Sequence, residues 1–499
     1  NGSMLMLDCG YTFPEDDFGV DYFLPDWTYV VDNIDKLDGV LVTHGHQDHI
    51  GALPFFLQEI DVPIYSGRIA LAMLERQLEE KNLADKVDLF PVEAAELLEI
   101  GPFTIEFVPV NHSVPNARSI SLDTPVGRFI FTGDWKIDQM IDYEDCLDLQ
   151  TFGDLGRDGV RGLFGDSTNA MVPGFSTSEY DVYQGIKGVT EQTEGRVIVA
   201  QFSSNLYRLR GVLEVAHQDD RKVLLLGRSL RNNFDIGIET GFIELPDPNM
   251  MIRPHEVQHT NDEDLLVVAT GSQAEPRASL TRMSTGDHHH ITLQDTDTVS
   301  ISARVIPGNE SGIHTMVDNL LRRGATVVQA GDEQIHGSGH ACAEELKLML
   351  NLTDPEYLVP VHGNYAMRKR HAELGDQVDV PESKLIENGD VLEFTHDDAE
   401  VIGQIRCGRV IVDGDNVGEL EDVEIRDRAK LAQSGIITVF TVLDRNSGEI
   451  VTHPELAQRG FISEGEDDKN LLDRAADAPR QALEELSNDA RRNPGEVEE

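Results

Sequence analysis

Thr43-His44-Gly45-His46-Gln47-Asp48-His49 is the stretch on which the fold reading turns. It directly follows the apolar strand Gly39–Val42, and a helix is expected to start near Gly51. Four potential ligands fall within six residues, His44 to His49, at a strand-to-helix turn. Neutral imidazole and carboxylate are borderline-to-hard ligands suited to Zn²⁺. One ion cannot easily accept all four, because His44 and His46 point to one side of such a turn and Asp48 and His49 to the other. Two metals sharing the turn resolve this. Surface decoration or a polar core is the plainer alternative, and the interleaved Asp and the preceding strand count against it.

More ligands are needed, and they recur at later strand ends. His112 follows the apolar run Thr104–Val110, Asp134 follows Arg128–Thr132, and His362 closes Leu358-Val-Pro-Val-His362. Each alone is an ordinary cap or turn residue. Together they fit a site built on one edge of a sheet. Asp287-His288-His289-His290 is a decoy: adjacent histidines project alternately, so a surface or substrate-facing loop is expected there.

Around these points, short apolar strands alternate with amphipathic runs, which is α/β architecture. Further strands are expected at Met4–Leu7, Arg196–Gln201, Lys222–Leu226, Leu265–Ala269, Thr298–Ser302 and Ala325–Gln329. Helices are expected over Gly67–Lys81, Thr177–Gln192 and His314–Arg323. Asp413–Glu424 carries six carboxylates and reads as a linker or exposed hairpin. A β-rich piece, Gly435–Leu443, and a turn at Asp444–Gly448 follow, then an acidic tail from Glu464 with one helix expected at Asp468–Leu486.

The 499 residues suffice for two to four domains with a sizeable core. With 40% hydrophobic and 26% charged residues the composition is globular, and no stretch approaches the roughly 20 apolar residues of a membrane span. Cys9, Cys146, Cys342 and Cys407 are scattered, so neither a disulfide framework nor a thiolate zinc finger is expected, and a cytoplasmic setting is. The chain opens Asn1-Gly2-Ser3 and runs at once into a strand, so it is expected to lack some upstream residues. Its net charge is −49, from 41 basic and 90 acidic side chains. Acidic surplus with few Lys suits either concentrated salt, where self-repulsion is screened, or an acidic mesophilic protein.

The HGHQDH run, His112 and Asp134 resemble the metal motifs of the metallo-β-lactamase fold. Phe164-Gly-Asp166-Ser-Thr-Asn169, Gln334-Ile-His336-Gly-Ser338-Gly-His340-Ala341 and Pro360-Val-His362-Gly-Asn-Tyr365 resemble its β-CASP nuclease subfamily. Within that subfamily, Ala269–Pro276, Ile306–Glu310, Glu387–Val391 and Asp444–Phe461 resemble stretches of the bacterial ribonuclease J family.

The resemblance implies a four-layer αβ/βα sandwich over residues 1–178 and 348–420, and a β-CASP domain inserted at 179–347. A linker at 421–434 and a small α+β C-terminal domain at 435–499 complete it. It implies two Zn²⁺ per subunit, with Mn²⁺ as an alternative. One would be held by His44, His46 and His112, the other by Asp48, His49 and His362, with Asp134 between them and Asp8 orienting the His turn. Asp48, Asp166 and His340 are the implied catalytic groups, with His340 at the scissile phosphate or the leaving 3′-oxygen. Ser204, His336, Gly337, Ser338, Gly339 and His340 are the implied substrate contacts. The implied activity is 5′-to-3′ exonuclease and endonuclease cleavage of RNA by a metal-bridging hydroxide, in mRNA decay and rRNA maturation. The partners would be single-stranded RNA with a 5′-monophosphate and further copies of the chain, as a dimer or tetramer, with no membrane.

Arg196, Arg208, Arg210, Arg221, Lys222, Arg228 and Arg231 form the richest cationic stretch and read in part as an RNA groove, the alternative being surface Arg paired with local acids. Rival readings are another β-CASP nuclease, acting on DNA or RNA 3′ ends, a small-molecule hydrolase, and an inactive RNA-binding scaffold. The small-molecule hydrolases lack the inserted segment, and a scaffold would have lost ligands.

Overall fold

The computed structural model describes residues 2–14, 20–140, 146–306, 308–414, 416–418, 427–428, 430–431, 434–452, 455–460, 477–478, 480–487 and 490–492. The chain forms two compact units, Asn1–Thr12 with Leu24–Arg409, and Phe13–Phe23 with Val410–Glu499.

In the first unit, two sheets pack face to face. One has four parallel strands in the order Met4–Leu7, Leu37–Leu41, Ile64–Ser66, Leu89–Pro91. The other has seven, in the order Glu382–Ser383, Pro355–Val361, Val160–Asp166, Gly127–Phe131, Arg118–Thr124, Phe103–Pro109, Leu97–Ile100. Leu41 of the first sheet and Val92, just past its last strand, cluster with Ile105, Phe107, Ile120 and Leu122 from the second. The outer face of the seven-stranded sheet buries Val108, Ile130, Leu163 and Leu358 against Phe152, Leu346, Met349 and Leu374 of three helices. The helix Arg68–Glu80 lies against the four-stranded sheet and buries Leu71, Leu74 and Leu78. These are the four layers of the expected sandwich. Strand Pro355–Val361 enters the sheet from far along the chain, in parallel register with Val160–Asp166, and Asp166 sits opposite Val361. That register sets His362 beside Asp166.

Between those strands the chain builds a third sheet, all parallel, in the order Lys222–Leu226, Leu265–Ala269, Val197–Ala200, Thr298–Ile301, Thr326–Gln329. Its strands are near-continuous apolar runs because helices cover both faces. The loop carrying His336 and His340 leaves the carboxyl end of its last strand.

The second unit holds an antiparallel pair, Ile436–Phe440 with Glu455–Arg459. Asp444 organises the expected turn by accepting hydrogen bonds from the Asn446 and Ser447 amides. Of the expected tail helix, residues 477–478 and 480–485 are helical, Leu486 is a bend, and the rest lies outside the described residues, as does most of Asp413–Glu424.

Two boundaries differ from expectation. The helix expected near Gly51 begins at Gln47, inside the His turn, and ends at Ile50, with a second short helix at Leu53–Phe56. The Cys9 and Tyr11 amides donate to the His49 and Gln47 carbonyls, so tertiary contacts hold that turn. The helix expected from His314 starts at Glu310.

Candidate metal centre

The His turn is braced by Asp8, at the end of the first strand. One Asp8 oxygen accepts from the Thr43 amide at 2.7 Å. The other accepts from the Thr43 hydroxyl at 2.8 Å and lies 2.7 Å from His49 Nδ1. Asp8 sits at φ 56°, a left-handed conformation that Asp tolerates better than most residues. Gly10 is required next to it: a Cβ there would lie 1.8 Å from the Asp48 carbonyl carbon.

These contacts decide which imidazole nitrogen is free. His49 Nδ1–H donates to Asp8, leaving Nε2. His112 Nδ1–H donates to the Gly339 carbonyl at 2.7 Å, leaving Nε2. The Thr43 hydroxyl, committed as a donor to Asp8, accepts from His44 Nδ1 at 3.0 Å and again leaves Nε2. Such partners fix the tautomer of metal-ligating histidines.

The freed atoms converge in two groups that share one oxygen. His46 Nδ1 lies 3.1 Å from His44 Nε2 and 3.0 Å from His112 Nε2. Asp134 Oδ2 lies 3.6 Å from His44 Nε2 and 3.7 Å from His112 Nε2. The same Asp134 oxygen is 3.4 Å from His49 Nε2 and 3.5 Å from His362 Nε2. Asp48 Oδ2 is 3.6 Å from His49 Nε2 and 3.7 Å from His362 Nε2. A tetrahedral Zn²⁺ with bonds near 2.05 Å separates its ligand atoms by about 3.3 Å. Both groups match that spacing. His49 Nε2 is buried and makes no hydrogen bond, an orphan that a metal would satisfy. The donor set thus fits a pair of zinc ions.

The electrostatics agree for the first group, whereas at His49 burial is outweighed by Asp134 and Asp8, which hold the imidazole well above the ordinary histidine range, so that an ion there would displace a proton. Burial, followed by neighbouring imidazoles, holds His44 and His112 well below the ordinary histidine range. Burial brings His46 down to about 4, against the pull of Asp48 and Asp134. Three neutral imidazoles are therefore available as ligands. Burial opposes charge on Asp134, yet His362, His49, His340 and His44 around it keep its carboxyl well below the carboxylate range.

His340 lies beside the two groups. Its Nδ1 is 2.8 Å from Asp166 Oδ2 and 3.9 Å from Asp134 Oδ2. Burial disfavours its charge, but Asp166 and Asp134 outweigh burial and raise its pKa to about 9. Asp166 also accepts from the Thr168 amide and hydroxyl. Asn169 donates to Ser338 Oγ at 2.8 Å and to the His340 carbonyl at 3.1 Å. A Cβ on Gly339 would lie 2.6 Å from the His112 ring, which explains the glycine.

The remaining candidate contacts are placed differently. His336 Nδ1 accepts from Arg208 Nη1 at 3.1 Å, and burial with that guanidinium pushes its pKa down to about 3. It is a neutral acceptor facing Arg208. Arg208 also donates to the Gly337 and Ser302 carbonyls and to Glu179. Ser204 lies in the turn before helix Leu206–Gln218, whose Asn205 cap accepts from the Arg208 amide.

The cationic stretch is corrected in part. Arg196 is buried on Asp297, Arg208 on Glu179, and Arg221 on the Thr193 and Gly195 carbonyls, so these three are structural. Arg228 and Arg231 are exposed on helix Arg228–Glu239. His288 turns its Nδ1 onto the His290 and Ile291 amides and closes its own loop. Sequence reasoning missed three groups. Thr43 and Asn169 lay within the quoted motifs. Glu345, fully buried, accepts from the Ile137, Ser176 and Cys342 amides and so ties three site loops together.

Comparison with known proteins extends this. Residues 2–164 match the metallo-beta-lactamase superfamily, 194–320 the ribonuclease J beta-CASP domain, 327–381 the Zn-dependent metallo-hydrolase RNA specificity domain, and 423–499 the ribonuclease J C-terminal domain. The chain is 38% identical to ribonuclease J 1 of Streptococcus pyogenes serotype M3, over 92% of this chain and 82% of that one. The chain belongs to the ribonuclease J family. It is also 37% identical to ribonuclease J of a Synechocystis species, over 92% of this chain and 72% of that one. A ribonuclease J 2 of Staphylococcus epidermidis is 33% identical, over 97% and 86%. A crystal structure of an Enterococcus faecalis protein of unknown function shares the fold, with a TM-score of 0.50 and 18% identity, over 70% of this chain and 79% of that one. In this ribonuclease J family chain the seven expected ligand residues lie in the two groups described above.

Proposed function

We propose that this chain is a zinc-dependent ribonuclease that degrades single-stranded RNA from a 5′-monophosphate end and also cuts internally. The observation that carries the reading is the single Asp134 oxygen shared by two ligand groups drawn from four separate segments.

His44, His46 and His112 would hold one ion, Asp48, His49 and His362 the other, and Asp134 both. Two such ions, when bound, supply an activated water and neutralise charge on the phosphodiester. The protein's own groups do the rest. Asp8 fixes the tautomer and orientation of His49. Asp166 keeps the His340 imidazole protonated, so that it can donate to a phosphate oxygen or to the leaving 3′-oxygen. Ser338 and the flanking glycine backbone line the approach, and Ser204 completes the proposed terminal-phosphate contacts. The proposed layout has residues 1–178 and 348–420 in the lactamase domain, 179–347 in the β-CASP domain, 421–434 as linker and 435–499 as C-terminal domain. A dimer or tetramer and a cytoplasmic setting belong to the same reading. Four free cysteines support a reducing compartment, and among the described residues no helix is long and apolar enough to cross a membrane.

The test is digestion of end-labelled RNA bearing a 5′-monophosphate, triphosphate or hydroxyl, with and without chelator. Mononucleotide release from the monophosphate substrate, abolished by chelator, is expected. Equal attack on all three ends, or activity in chelator, would overturn the reading.

A further inference from the structure

A cleft of 1380 Å³ runs between the helix Arg68–Glu80, the 116–118 segment and the helices Glu179–Glu191 and Leu206–Gln218. That is larger than the roughly 300–1,000 Å³ of an ordinary small-molecule pocket and suits a polymer. It shares walls with the metal centre. Asn116, in the loop that follows His112, and Arg118, which opens the next strand, line it, and the Arg118 amide donates to the Thr43 carbonyl. On the other side Glu179 lines it and holds Arg208, which grips the Gly337 carbonyl in the His340 loop.

Its lining is aromatic. Tyr180 and Tyr183 stand one turn apart on their helix with ring centroids 6.1 Å apart, and Tyr180 is 43% exposed. Phe242, which also lines the cleft, packs on Tyr207 at 5.1 Å and lies under the Arg210 guanidinium at 5.6 Å. Its charge offers a phosphate backbone no cationic surplus. Glu93, Glu179, Glu214 and Glu244 line it with Arg68, Arg118 and Arg210, but Arg68 is paired with Glu93 and Glu179 with Arg208, so the remaining lining charges, Glu214 and Glu244 against Arg118 and Arg210, balance. On a chain of net charge −49, a strand in this cleft cannot be held mainly through its phosphates.

We propose that Tyr180, Tyr183 and Phe242 form a stacking platform that holds RNA by its bases, so that binding depends only weakly on salt. This rests on the ribonuclease reading and goes beyond it by naming the residues and the kind of force. Every base presents a π-face, so the grip tolerates any sequence. Each phosphate contact would cost about 0.7 log units of affinity per log unit of salt, whereas stacking costs almost none.

The test uses the zinc-loaded full chain and a fluorescein-labelled ten-nucleotide RNA with phosphorothioate linkages, which hydrolyse slowly. Affinity is read by anisotropy from about 0.1 to about 2 M KCl, a range in which charge interactions are screened. The wild type is expected to show a slope shallower than two phosphate contacts would give. Tyr183→Ala and Phe242→Ala should each weaken binding by about 5- to 150-fold at every salt concentration, and Tyr183→Phe should restore it. Circular dichroism checks that the variants fold. Unchanged affinity in both alanine variants, or a steep salt slope in the wild type, would overturn the platform. Cleavage of ordinary RNA is scored separately. Binding without cleavage would remove the ribonuclease reading and leave the platform standing, while cleavage with wild-type affinity in the variants would do the reverse.

Discussion

Replacing Arg208 by Met separates a structural cation from an RNA contact. The guanidinium is buried and spends its donors on Glu179 at 2.7 and 3.3 Å, Ser302 O at 2.6 Å, Gly337 O at 3.1 Å and His336 Nδ1 at 3.1 Å. Methionine fills much of the volume and supplies none of these. Glu179, itself buried, would retain only a long contact with the Asn205 amide group at 3.5 Å. Breaking a buried pair from one side costs about 3–5 kcal/mol. The two abandoned carbonyls add about 1 kcal/mol each, for a total of about 5–7 kcal/mol. At about 2–4 °C per kcal/mol for a domain of this size, Tm should fall by about 10–28 °C. Glu179→Gln in the same chain removes the stranded charge and should recover about 2–3 kcal/mol of that loss. The assay is thermal unfolding of the wild type, both single variants and the double variant, with RNA cleavage measured well below every midpoint. An unshifted Tm together with a raised KM and a shallower salt dependence would refute the reasoning and make Arg208 an RNA contact.

Other consequences follow from single contacts. Asp8→Asn replaces one of the two acceptor oxygens that hold Thr43 and His49 with a donor and should weaken zinc binding by about 10–100-fold, read by competition with a chromogenic chelator. His371 is buried, and burial, against the pull of Asp166, holds its pKa at about 4. The unfolded chain therefore takes up this proton first as pH falls. The stability is kept above about pH 6.5 and is lost as pH drops toward 4, by about 2 kcal/mol at pH 5. Denaturant midpoints of His371→Gln should fall less between pH 7 and pH 5 than those of the wild type. Burial, then Asp8, pushes the Cys9 thiol up to about 12, and burial, then Glu345, pushes Cys342 up to about 11. Iodoacetamide at pH 8 should label exposed Cys407 in the native protein and leave Cys9 and Cys342 unlabelled until denaturant is added, as read by mass spectrometry.

The parallel strands were legible because they are short apolar runs bounded by polar residues. Lys222–Leu226 and Leu265–Ala269 match residue for residue. The first turn of the helix Glu310–Arg322 escaped because Glu310, Ser311 and Gly312 carry no apolar periodicity before Ile313. The helix inside the His turn has four residues and depends on the strand end beside it, which no local pattern records. The seven converging ligand candidates were legible as residue types at strand ends, and the register of Val160–Asp166 with Pro355–Val361 brings the last of them home. The arginines show the opposite case. Charge is visible in a sequence and burial is not, although a clue was present. Arg196 and Arg221 stand directly before or beside the starts of buried strands, and Arg208 sits among Leu206, Tyr207 and Leu209. Glu345 gave no signal beyond a helix cap, because its other partners, Ile137 and Ser176, come from two distant loops.

Zinc stoichiometry tests the central claim most directly. The purified chain, loaded with zinc and desalted, is analysed by inductively coupled plasma mass spectrometry beside His362→Ala. Two zinc ions per chain are expected in the wild type, falling to about one in the variant, whose His44, His46, His112 and Asp134 group is intact. A wild type that retains a single ion, or a variant that still retains two, would contradict a dinuclear centre joined at Asp134.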